Sequence, residues 1–148
     1  MATSTKKPAG ARKLFLGLIF VVLCVVAVFA YLENKPWKVP EEAKQRQNPV
    51  ATSPAALAAA RTVYMDKCVQ CHGETGKGDG AEAASYYPRP TSFLDTRHMN
   101  SVTDGEIFYQ ISQGRKPMPS FKKRLSEEQR WQLVDYVRAL AAANPSKP

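Results

Sequence analysis

Nineteen consecutive residues without a charge, Leu14 to Leu32, constrain this chain before anything else does. The run reads LFLGLIFVVLCVVAVFAYL. At about 1.5 Å per residue, a helix of this length spans roughly 28 Å, close to the hydrocarbon thickness of a bilayer. A buried core helix would be shorter and would show a polar face. A cleaved signal peptide has an apolar stretch of about 7–15 residues followed by small residues. Here the run is longer, and Val28-Phe29-Ala30 makes a poor cleavage site. We therefore expect an uncleaved membrane-spanning helix over 14–32. Cys24 lies inside it. Leu23 stands where a lipoprotein site usually has a small residue, and the apolar run continues past it. Cys24 is thus expected as a small apolar residue facing lipid.

The net charge of +8 divides unevenly around this run. The tail 1–13 carries Lys6, Lys7, Arg12 and Lys13 and no acid. Residues 33–148 hold 17 basic and 13 acidic residues, a mild excess with no nucleic-acid motif. Positive flanks stay on the cytoplasmic side. The expectation is a single-pass protein of the inner membrane, with tail 1–13 in the cytoplasm and the rest on the periplasmic side. Tyr31 and Trp37 fall where an interfacial aromatic belt would sit.

Residues 33–52 carry three prolines and many charges and read as an extended linker. A domain follows over 53–143, and 144–148 form a short tail. A domain of about 90 residues has a poor surface-to-volume ratio and often needs a metal or cofactor to complete its core. Ser53-Pro54 is a helix start, with Ser as N-cap and Pro at the first helical position. Helical spacing continues through Leu57, Ala60, Val63 or Tyr64, and Cys68. Residues 73–101 hold four glycines and two prolines and read as loop, with a short helical turn near Ala81–Ser85. Thr103 with Glu106, and Ser126 with Gln129, form capping boxes that open two further helices. Gly114 is placed to end the first and Asn144-Pro145 the second. No segment alternates as a strand, so the fold class is all-α.

The chemistry is concentrated in Cys68-Val69-Gln70-Cys71-His72. Cys-x-x-Cys-His is the attachment motif for c-type haem. On a helix, positions i, i+3 and i+4 share one face. Two thiols there can reach two vinyl groups along one side of a porphyrin, and His72 can present its imidazole to the iron. A redox-active thiol pair would need a βαβ context, which the helical surroundings lack. A structural zinc site needs four ligands, and only Cys68, Cys71, His72 and the distant His98 are available. With three cysteines, an odd number, a disulfide framework is not expected.

CVQCHGETGKGDG, the later KPMPSF and the terminal LSEEQRWQLVDYVRAL together resemble a class I cytochrome c domain over about residues 53–143. The resemblance implies an all-α fold around one covalent haem c, with first and last helices crossing near Tyr64 and Tyr136. Ala60 stands where the family often has Gly, which implies a slightly looser crossing. For the sixth iron ligand the candidates are Met118, Met99, His98 and Met65. Met65 sits on the haem-bearing helix, where access is sterically poor. Met118 lies between Pro117 and Pro119 and is an isolated large apolar residue among Gln113, Arg115, Lys116 and Ser120. The resemblance points to Met118 as well. Histidine and methionine ligation raises the reduction potential and fills both axial positions. That favours electron transfer over catalysis, so no enzymatic activity is expected. The resemblance also implies that a backbone carbonyl of a proline-containing loop, here near Pro88 or Pro90, supports the axial histidine. Arg115, Lys116, Lys122, Lys123 and Arg124 crowd the Met118 loop and suggest docking of an acidic redox partner. The expected role is that of a tethered respiratory carrier, or of a subunit in a larger membrane redox complex.

Overall fold

The computed structural model describes residues 9–33 and 37–143. The chain divides between Trp37 and Lys38 into two units. In the first, α1 runs from Ala9 to Glu33 and contains the whole uncharged run. Its side chains from Arg12 to Tyr31 are exposed on every side, as expected of a helix whose environment is not protein. It is long and apolar enough to cross a membrane, a test that signal sequences also pass. Lys6 and Lys7 of the basic tail, residues 34–36 and the tail 144–148 lie outside the described residues.

The second unit is all helical, with α2 (Glu41–Lys44), α3 (Pro54–Lys67), α4 (Val69–His72), α5 (Thr96–Ser101), α6 (Asp104–Gln113) and α7 (Glu127–Ala143), plus a 3₁₀ turn at Ala83–Ser85. No strand occurs among the described residues. The caps form as their local sequences dictate. Ser53 Oγ accepts from Ala56 N at 3.1 Å, with Pro54 opening α3. Thr103 and Glu106 close a reciprocal box, as do Ser126 and Gln129. Gly114 ends α6 at φ 63°.

The core is where α3 and α6 pack on α7. Tyr64, Ile107, Phe108, Ile111, Trp131, Leu133, Val134 and Val137 are all buried. Phe108 stacks on Trp131 with ring centroids 4.0 Å apart. Burying a large side chain of this kind contributes about 1.5–3 kcal/mol. Arg138 holds α7 to the neighbouring turn by donating to Asp104 Oδ1, Met99 O and Val102 O.

Two segments differ from the sequence expectation. The region 73–101 is not loop throughout, because Asp95 caps the short helix α5 by accepting from Arg97 N and His98 N. The segment expected as an extended linker, 33–52, belongs to the folded unit from Lys38 onward. Ala43 is buried, Val50 packs against the core, and Asn48 donates to Asp135 Oδ1 of α7 at 2.8 Å. The prolines and charges of this segment lower its helical propensity. They do not prevent it from docking on a partner that offers matching groups.

Candidate functional site

The site is built at the break between α3 and α4. The helix does not run unbroken through the motif. Cys68 ends α3 at φ −120°, and a new turn starts at Val69. The backbone still closes as in a helix, with Cys71 N and His72 N both donating to Cys68 O, at 3.2 and 2.9 Å. The two sulfurs and the imidazole therefore leave one turn, on one side. Both thiols are free and partly exposed.

The glycine-rich segment after His72 wraps back over the motif. Gly73 takes φ 75°, ψ 162°, a conformation essentially confined to glycine. Gly78 N then donates to His72 O and Gly80 N to Cys71 O. A Cβ on Gly80 would collide with the carbonyls of Gln70 and Val69, so the loop passes close because this residue has none. Gly76 O accepts from Phe93 N at 2.7 Å. That bond brings the Phe93 ring flat against His72, with centroids 4.8 Å apart and 15° between planes. From the other side, buried Tyr64 donates its hydroxyl to Gly73 O at 2.7 Å.

The electrostatics follow from this burial. The Cys68 thiol is pushed up to about 12 by burial first, with Cys71 and Asp66 adding to it. Burial, and then Glu82, raises Cys71 too. Both sulfurs are held as neutral thiols. Burial lowers the His72 pKa, and the Thr91 backbone, acting as acceptor, opposes it. Nδ1 of His72 is nevertheless fully buried without a partner at hydrogen-bond geometry among the described residues. The Thr91 approach is thus a near contact rather than a formed bond. Thr91 directly follows Pro90, within the region expected to support this histidine.

Met118 reaches the core from a separate loop. Its N–H donates to Arg115 O at 2.8 Å, closing a turn over Lys116 and Pro117. The base of the loop is pinned to the end of α6. Ser120 Oγ donates to Ser112 O at 2.6 Å, Phe121 N to Ile111 O and Lys122 N to Ser112 O. Arg130 of α7 steadies the same corner by donating to Ser112 Oγ. Met118 is half-buried and packs against the same core cluster as Cys68, Val69 and Phe93. Of the alternatives, His98 is exposed on α5, Met99 is enclosed in the core at 4 % exposure, and Met65 is half-buried beside the core. Lys116, Lys122, Lys123 and Arg124 are exposed around the loop, as is Arg115.

These residues suit a covalently held haem. Free thiols spaced for two thioethers, a neutral imidazole with an orphaned buried nitrogen and half-covered apolar neighbours match its requirements. Phe93, Thr91 and Tyr64 complete the surroundings of His72. Sequence reasoning did not pick out Phe93, because a single aromatic in a glycine- and proline-punctuated segment has no periodicity to mark it.

Comparison with known proteins gives the same picture. Residues 55–137 match the family model described as cytochrome C oxidase, cbb3-type, subunit III. Cytochrome c6 of Rippkaea orientalis is 34% identical over 100 residues, covering 64% of this chain and 84% of that protein. Cytochrome c6 of Parathermosynechococcus lividus is 32% identical over 88 residues, covering 60% and 94%. Among solved structures, the reducing HAO-like protein complex of Kuenenia stuttgartiensis matches with TM-score 0.57 and 26% identity over 74% of this chain. The match spans 53% of that complex's chain, about half its length. The KustC0563 c-type cytochrome matches with TM-score 0.50 and 28% identity, covering 55% of this chain and 95% of that one.

Proposed function

Since the chain belongs to the class I c-type cytochromes, in the family described as cytochrome C oxidase, cbb3-type, subunit III, we propose that it is a membrane-anchored, single-haem electron carrier of a respiratory chain. Electron transfer through covalently bound haem c is the activity of the family. The anchoring by α1, the respiratory setting and the residue roles are our reading.

When bound, haem c supplies a one-electron iron couple. Cys68 and Cys71 would hold it by thioethers, each thiol adding its sulfur and its hydrogen across one vinyl double bond. His72 would be one axial ligand. Its neutral state is the one that can ligate. Phe93 stacked on the imidazole limits ring rotation, and the Thr91 backbone gives the second nitrogen a partner within reach. Met118 would be the other axial ligand, presented by a loop pinned at Ser112 and Ile111. Were His72 and Met118 both to hold the iron, no position on it would be left for a small molecule, which favours passing electrons over transforming a substrate. The exposed cations Lys116, Lys122, Lys123 and Arg124, with Arg115, would steer an acidic redox partner toward the Met118 side. The name of the matched family supports a place beside or within a terminal oxidase complex.

The observation that carries this reading is the single turn that gathers Cys68, Cys71 and His72, with Phe93 stacked on the His72 ring. The test is the visible spectrum of the ferrous protein with and without carbon monoxide. A covalent haem spectrum unmoved by the gas supports an electron carrier with two firm axial ligands. A clear shift would remove Met118 as a firm ligand and favour a gas-binding or enzymatic role. A protein without haem would overturn the reading.

A further inference from the structure

Arg130 is the one buried charged side chain among the described residues, at 7 % exposure. Its register puts it there. Positions 130, 133, 134 and 137 share one face of α7, and Leu133, Val134 and Val137 fill the core. Among the described residues no carboxylate forms an ion pair with it. Neutral groups meet the charge instead. The guanidinium lies 4.8 Å from the Phe108 centroid, and its Nε donates to Ser126 O at 3.3 Å. Its Nη1 donates to the hydroxyl of Ser112, a side chain itself only 3 % exposed. A charge withdrawn from water without a counter-ion is costly, and an apolar side chain of similar volume would pack here at least as well. Packing alone therefore does not account for Arg130.

The two residues it bonds stand at the two ends of one segment. α6 ends at Gln113 and α7 begins at Glu127, and residues 114–126 between them carry Met118. Ser112 lies just before this segment and Ser126 closes it, so one guanidinium bridges both ends. Ser112 hands the constraint on. Its carbonyl accepts from Ser120 Oγ at 2.6 Å and from Lys122 N at 3.1 Å, while Ile111 O accepts from the buried Phe121 N at 3.2 Å. At Gly114 the outgoing chain touches the returning chain, since an added Cβ would sit 2.5 Å from Pro119 O and Ser120 N. Met118 is carried on the turn beyond this contact. From this we infer that Arg130 is a positioning residue for Met118, a buried bridge that holds the two ends of the ligand-bearing loop at a fixed separation. The inference rests on the reading of Met118 as an axial ligand. The planar guanidinium suits the task, because it presents its donors in a rigid fork where a lysine ammonium is a single point.

The test uses the full haem-loaded chain in its ferrous form. The parent is compared with the double variant R130M/S112A, with R130K and with M118A. The double variant replaces both partners of the bond by apolar groups, so neither is left buried and unpaired, and its unfolding midpoint should stay near the parent's. Titrated with carbon monoxide, it should be half-saturated at about one-tenth of the parent's concentration, because the loop has lost hydrogen bonds from a charged donor. Amide exchange at Phe121 and Lys122 should quicken, while the amides of α3 keep the parent's rates. R130K keeps the charge without the fork and should bind the gas as the double variant does. Parent-like gas binding in the double variant would overturn the positioning role, whether or not the midpoint falls. Parent-like binding in R130K would overturn the bridge, since a point charge would then suffice. A parent that binds the gas as tightly as M118A would overturn both this inference and the reading of Met118 as a ligand, so the two failures are told apart.

Discussion

Tyr64 and Tyr136 meet where α3 crosses α7, with ring centroids 5.1 Å apart and planes tilted by 55°. Ala60, one turn earlier on α3, is 1 % exposed, so a methyl group is enclosed where the family often has none. The Tyr64 hydroxyl continues past its partner to Gly73 O, at the end of the haem motif. One residue thus joins the helix crossing to the cofactor turn. Tyr64→Phe would remove one of two donors to the buried Gly73 O, the Gly76 N–H remaining at 3.2 Å. We expect a loss of about 0.5–1.5 kcal/mol in stability, read by denaturant unfolding of the holoprotein, with haem content unchanged. An unaltered midpoint would show that the bond contributes nothing net.

Met118→Ala should leave the haem attached, because Cys68 and Cys71 are untouched. The ferrous spectrum should now shift with carbon monoxide, since one axial position is open. His98→Ala, on exposed α5, should leave the spectrum unmoved. The reverse pattern would transfer the ligand role to His98.

Gly114 holds φ 63°, ψ 163°, and an added Cβ would sit 2.5 Å from Pro119 O and Ser120 N. Gly114→Ala should cost about 1–3 kcal/mol and shift the Met118 loop. Greater carbon monoxide binding than in the parent, at equal haem content, is the expected sign. Parent-like binding would mean that the loop is set by its Ser112 and Ile111 bonds alone.

The Arg46 guanidinium hydrogen-bonded to Glu127 lowers that carboxyl's pKa from its ordinary 4.5, the bond being the largest of several causes. A depressed carboxyl contributes to stability above its unfolded pKa, and the contribution is lost as pH falls through the folded value. Glu127 should therefore titrate below 4.5 by NMR in the parent and move back toward 4.5 in Arg46→Ala. The Arg46–Glu127 pairing should weaken as pH falls through the folded value. A Glu127 midpoint at 4.5 in the parent would remove this pairing.

Reversing two charges beside the Met118 loop, Lys122→Glu with Lys123→Glu, should slow electron delivery to an acidic redox partner several-fold at low ionic strength. Above roughly 0.5 M salt the difference should nearly vanish, because the Debye length then shrinks to a few ångströms. Equal rates at low salt would place docking elsewhere.

Much of this protein is legible along the chain because its determinants are local. The membrane-length helix needs only a count of uncharged residues. The caps at Ser53, Thr103 and Ser126 are closed by partners three residues on, so each is visible as a short pattern. The Cys68, Cys71 and His72 turn is likewise contained in five residues. The Asp95 cap is not visible in this way, because no Glu or Gln stands at the third position and the helix it opens is only six residues long.

What the sequence by itself determined is therefore the helical class, the membrane-length segment and the haem motif, each encoded by residues within a turn or two of one another. Tertiary structure alone decided that Phe93 stacks on His72, that Tyr64 bonds Gly73, and that Arg46, Asn48 and Thr52 bond to side chains of α7. Arg46, Asn48 and Thr52 find Glu127 and Asp135 across 81 to 87 residues of chain. Gly105 can receive three carbonyls only once α2 has been brought to it. Such contacts depend on the path of the whole backbone and on side chains that give no local sign of their partner, so only the folded chain reveals them.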